Sequence, residues 1–161
     1  MPRIVASTLP LLLLLLLSAC QPSLQQRPGI AWVDLVHGKQ LAVERQKPVL
    51  VDFFYGTSCR RCDKLCVMIY EDPAIAARVK REFVPVRVDL RYPLNEEEQA
   101  LSVKLGNEGE CILAFLTPDA RVVADEDGRP LATMDELTGD EFSSYLDKAL
   151  VRLQAMGPAV K

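Results

Sequence analysis

The stretch KPVLVDFFYGTSCRRCDKL, residues 47–65, sets an apolar run directly before two cysteines spaced C-x-x-C. The run follows Pro48 and is short, so it reads as a buried strand. A helix should begin near Cys59 and carry Cys62, Leu65, Cys66 and Ile69 on one face. That order places the first sulfur at the start of a helix. Backbone N–H groups there have no carbonyl partner and favour a thiolate. The second sulfur sits one turn further in, within reach of the first, and can resolve a mixed disulfide formed by it. Arg60 and Arg61 stand between the two cysteines.

Metal binding is the other chemistry open to cysteines. The chain has five: Cys20, Cys59, Cys62, Cys66 and Cys111. A tetrahedral structural site wants four cysteine or histidine ligands, usually as two C-x-x-C pairs. Only one such pair occurs here. The only histidine, His37, reads as a solvent-facing residue of an early helix.

The compartment decides which cysteines are available. The chain opens MPRIVASTLPLLLLLLLSAC. One arginine precedes an apolar run from Leu9 to Leu17, which marks an export signal too short to remain as a membrane span. LSAC, Leu17 to Cys20, resembles the lipobox of bacterial lipoproteins. That resemblance implies residues 1–19 as signal peptide and a diacylglyceryl group (palmitate-class chains) on Cys20. Two or three acyl chains anchor stably. Residues 20–29 then form a polar, proline-containing tether. Gln21 resembles the pattern of outer-membrane lipoproteins, which implies an outer-membrane anchor facing the periplasm. The exported side is oxidising, so disulfides are permitted. The chain carries 19 basic and 22 acidic residues with no basic run, which gives no reason to expect a nucleic acid partner.

Residues 30–155 suit one domain with a single core. IAWVDLVHGKQLAVERQ has helical spacing, weakened by Gly38. EDPAIAARVKREF is helical with Pro73 in its first turn, and VPVRVDL alternates as a strand. NEEEQALSVKLG is a helix closed by Gly106. CILAFL and RVVAD read as two strands joined at TPDA. Thr138 to Glu141 is a capping-box pattern opening a last amphipathic helix. The expected order, α-β-α-α-β-α-β-β-α, is an α/β sandwich around a mixed sheet.

The 47–65 stretch resembles the active-site strand, loop and helix of the thioredoxin superfamily. The closer likeness is to its exported domains, such as the C-terminal periplasmic domain of the thiol:disulfide interchange reductase. IAWVDLVHGKQLAVERQKP is similar to the leading tryptophan and helix of that subgroup. YEDPAIAARVKREFVPVRVDL and LAFLTPDARVV are similar to its later elements. The resemblance spans Ile30 to about Leu150. It implies a thioredoxin fold, with a central mixed β-sheet flanked by helices, and a dithiol/disulfide activity. Cys59 would be nucleophile and Cys62 resolving thiol. It calls for no cofactor, and the partners implied are protein thiols or disulfides of the cell envelope.

Five positions depart from the family pattern. Ser58 stands where a tryptophan is usual. Arg60 and Arg61 replace the usual dipeptide, and two guanidinium groups beside the pair should favour the Cys59 thiolate. Asp52 matches the buried aspartate that relays protons, but it is one residue further from the first cysteine. A one-residue shift on a strand turns a side chain to the other face unless a bulge absorbs it. Cys111, in GECI, occupies the place of the family's cis-proline. A cis bond at a non-proline residue costs about 2.5–4 kcal/mol, so a trans, differently shaped loop is expected there. It would bring a third sulfur to Cys59 and Cys62.

These features support an anchored thiol–disulfide oxidoreductase. They also fit a lipoprotein that holds copper(I), zinc or an iron–sulfur cluster on Cys59, Cys62 and Cys111. A binding module that kept the fold and lost turnover is the third possibility. Cys66 reads as a buried small apolar residue.

Overall fold

The computed structural model describes residues 29–56 and 59–157. The expected signal peptide, the lipidation site Cys20, residues 20–28 of the tether and Ser58 lie outside them. Among the described residues no helix is long and apolar enough to cross a membrane.

Helix α1, Leu35–Arg45, starts at Asp34, whose carboxylate accepts from the His37 N–H at 2.9 Å. Gly38 does not interrupt it. A Cβ there would stand 2.1 Å from Val86 Cγ2, so the glycine leaves room for the helix to pack against the sheet. Strand β1, Val49–Phe54, is buried along almost its whole length. Helix α2, Arg60–Lys64, runs on as a π-helix over Leu65–Tyr70. Next come α3, Pro73–Glu82, and β2, Val84–Asp89, whose burial alternates as its sequence does. Helix α4, Glu96–Leu105, has the capping box Asn95/Glu98 and closes on Gly106 in the left-handed region. Strands β3, Leu113–Leu116, and β4, Ala132–Thr133, precede α5, Gly139–Met156. The Thr138/Glu141 capping box is present as the sequence indicates.

The sheet order is β2-β1-β3-β4, with β1 parallel to β2 and the other pairs antiparallel. Alternate residues of β1 feed two separate cores. Leu50 packs with Leu65, Ile69 and Tyr70, with α3 and with α5 on one face. Val49, Val51 and Phe53 pack with α1 and α4 on the other. The molecule is therefore a three-layer α/β/α sandwich.

One expected strand is not formed as such. Residues 121–125 make only single bridges, Val122 to Leu116 and Ala124 to Pro130. The chain doubles back through Gly128, and Leu131 N–H donates to Val123 O at 2.7 Å. Pro130 has no N–H with which to extend that pairing. The partner of Leu113 and Ala114 is instead Thr133 and Ala132, a strand that the sequence pattern did not suggest.

Candidate active site

Cys59 is the N-cap of α2, and its sulfur accepts the Cys62 N–H at 3.3 Å. Cys62 is fully buried beneath it and accepts the Tyr55 N–H at 3.5 Å. The third sulfur arrives from the loop between α4 and β3. Cys111 Sγ lies 2.9 Å from Cys62 Sγ and 3.2 Å from Cys59 Sγ. All four cysteines among the described residues are free thiols, and Cys59 and Cys111 remain partly exposed.

The loop that delivers Cys111 is held by Asn107, a residue that sequence reasoning passed over. Its side-chain oxygen accepts from Gly109 and Glu110 N–H at 3.1 and 2.8 Å, and its amide donates to Glu110 O at 3.1 Å. The Ser102 hydroxyl donates to Asn107 O from α4. An asparagine two residues before a glycine is a turn signal, and here the turn aims a thiol. Every peptide bond among the described residues is trans, the bond into Cys111 included. Phe53 N–H donates to Ile112 O at 2.9 Å, which fixes the loop's exit on β1.

The three thiols do not behave alike. Burial pushes Cys59 up. Hydrogen bonds from the Cys62 and Cys111 thiols and from the Cys62 and Arg61 N–H groups outweigh it and hold Cys59 below the ordinary cysteine value. Burial drives Cys62 far up, and its contacts with Cys111 and Cys59 act in the same direction. Burial also raises Cys111. The trio thus has one sulfur disposed to ionise beside two disposed to keep their protons.

The two arginines part company. The Arg60 side chain is 82% exposed, with Nε 3.6 Å from Glu136. Arg61 is buried at 8% exposure and turns away from the thiols. Its Nε and Nη2 donate to Asp135 O and Thr133 O at 3.1 and 3.2 Å. The expected support of the Cys59 thiolate by two guanidinium groups is replaced by support from the backbone. Arg61 acts through its N–H, while its side chain ties α2 to the segment after β4.

Asp52 faces the helix that carries the thiols. The β1–β2 register is unbroken from Val49 to Phe54, so no bulge is present and the extra residue falls beyond the strand. Asp52 therefore shares the face of Leu50. It is fully buried and pairs with Arg87, its neighbour across the sheet, at 3.0 Å. Burial raises its carboxyl, and Arg87 opposes the rise without cancelling it. Tyr70 also lowers it, although its hydroxyl and Asp52 Oδ1 do not close a full hydrogen bond. The Arg87 guanidinium lies 4.3 Å over Trp32 and 3.9 Å over Phe54. Cys66 belongs to this neighbourhood. Burial raises its thiol, against the pull of Arg87. His37 is exposed on α1.

The comparisons agree with this fold. Residues 31–131 match the family described as Thioredoxin-like. No curated protein matches the chain in sequence. A thioredoxin from Thermus thermophilus, known from its solution structure, superposes with a TM-score of 0.61 at 21% identity, covering 81% of this chain and 94% of its own. The structure of a protein named DsbH Oxidoreductase gives 0.58 at 20% identity, covering 84% and 96%. The oxidised C-terminal domain of Neisseria meningitidis DsbD gives 0.50 at 20% identity, covering 73% and 97%. At such identities these structures speak to the fold alone. The family match covers more than half of the chain, and with a mixed sheet that sets a C-x-x-C pair at the start of α2, this protein belongs to the thioredoxin-like family.

Proposed function

We propose that the protein is a thiol–disulfide oxidoreductase working through Cys59 and Cys62. The observation that carries this reading is their placement. A partly exposed sulfur accepts the N–H of a second cysteine that is buried one helical turn behind it. Cys59 Sγ, as thiolate, attacks a client disulfide, forms a mixed disulfide and releases one client thiolate. Cys62 Sγ then attacks Cys59 Sγ, closes the Cys59–Cys62 disulfide and frees the second client thiol. Two electrons pass to the client. Cys62 must lose its proton in the second step. Asp52, fully buried on the face of β1 that packs through Leu50 against Leu65 of the thiol-bearing helix, is the base we assign to it. The fold shared with the structure named DsbH Oxidoreductase is compatible with the same chemistry.

The lipobox-like LSAC supports an anchor at Cys20 and a place in the bacterial cell envelope, and Gln21 after it supports the outer membrane, facing the periplasm. Clients would then be envelope proteins bearing thiols or disulfides. Reduction of a disulfide-bonded protein substrate tests the chemistry. Cys59→Ala should abolish turnover and Cys62→Ala should accumulate the mixed disulfide. Undiminished turnover by Cys59→Ala would refute it. The anchor is tested by fractionation, since Cys20→Ser should move the protein out of the membrane pellet.

A further inference from the structure

We infer that Cys59, Cys62 and Cys111 form a three-thiolate site for a copper(I) ion. The three sulfurs lie within 4.8 Å of one another, two of the separations being 2.9 and 3.2 Å. They come from two different elements. Cys59 and Cys62 belong to the start of α2, and Cys111 to a loop held by five hydrogen bonds involving Asn107. A metal–sulfur bond of about 2.3 Å puts sulfurs around a trigonal ion about 4 Å apart. Modest rotation of the side chains supplies that spacing. Cys59 and Cys111 are partly open to solvent, which leaves a path for the ion, while Cys62 forms a buried floor.

The number and kind of donors select the ion. All three are soft sulfurs, which suit copper(I). Structural zinc takes four ligands, and no fourth cysteine, histidine or carboxylate joins this group among the described residues. A [2Fe–2S] or [4Fe–4S] cluster takes four thiolates. The remaining thiol among the described residues, Cys66, belongs instead to the surroundings of Arg87 and Asp52. Binding changes no oxidation state. Each ligating thiol gives its proton to solvent, and the copper stays copper(I). The site needs all three thiols reduced, so it excludes the Cys59–Cys62 disulfide, but it does not depend on the oxidoreductase reading.

The test is an anaerobic titration of the reduced full chain with copper(I) presented as its bathocuproine disulfonate complex. One copper(I) should be withdrawn per chain, with Cys59, Cys62 and Cys111 protected from alkylation together. Loss of a group that merely supports a metal ligand costs about 10–100-fold in affinity, so loss of a ligand should exceed that. Cys111→Ser and Cys111→Ala should each weaken copper(I) by more than about 100-fold, with circular dichroism unchanged in at least one. Cys66→Ser should bind as the parent does. The inference is overturned if the parent withdraws no copper(I), if both Cys111 variants withdraw it equally well, or if zinc(II) alone protects the three thiols. Turnover on a protein disulfide, measured metal-free on the parent, fails or succeeds separately. Copper(I) without turnover refutes only the oxidoreductase reading, and turnover without copper(I) refutes only this one.

Discussion

Cys59 is the residue on which the chemistry turns, and its neighbours set its reactivity. Its thiolate is favoured by two backbone N–H groups and two thiols, against burial. Removing the Cys111 donor should move Cys59 up, so that its alkylation by iodoacetamide requires higher pH in Cys111→Ala than in the parent. An unmoved pH profile would show that Cys111 does not act on Cys59. Arg60 and Arg61 look equivalent in the sequence, yet they fall about 100° apart around a helix. That angle sends one into solvent and the other under β4. The roles of two adjacent like charges were not legible, because which direction is inward depends on what packs there.

At the level of elements, α1 lies against β2, and Gly38 meets Val86 there. Gly38 weakens the helical pattern of the sequence, but it is the residue that admits Val86. Glycine costs a helix about 1 kcal/mol relative to alanine. Overpacking a filled contact costs about 1–3 kcal/mol. The second effect should win, so Gly38→Ala should lower the urea midpoint, and Val86→Ala added to it should restore part of the loss. A Gly38→Ala protein more stable than the parent would show that the helix can simply shift outward. The last hairpin has a related lesson. Valines at 122 and 123 have strand propensity, but Pro130 and the turn at Gly128 divert the pairing to Ala132–Thr133.

For the whole molecule, the buried Asp52–Arg87 pair ties stability to pH. The folded protein holds the Asp52 proton more tightly than the unfolded chain does, because burial outweighs Arg87. The contribution of Asp52 is therefore fully present below the ordinary carboxylate range. It is lost as pH rises through the raised value. Asp89 and Asp119, held low chiefly by hydrogen bonds from Arg91 and Arg121, contribute in the opposite sense and weaken as pH falls. Asp52→Asn isolates the first effect. Its unfolding free energy relative to the parent should climb with pH above the ordinary carboxylate range and then level off. A difference independent of pH would mean that Asp52 titrates alike in both states.

The sequence by itself determined the fold class, the element order up to β3, the caps of α4 and α5, and the strand-to-helix setting of Cys59 and Cys62. These rest on periodicity and on contacts within a few residues, which a linear pattern records. Only the tertiary structure decided what meets across the sheet and between loops. It paired Asp52 with Arg87, turned Arg61 toward Thr133 and Asp135, and used Asn107 to aim its loop. It also set Cys111 at 2.9 Å from Cys62. Those contacts join residues far apart in the chain, and their geometry follows from strand register and layer packing, which no local spacing encodes.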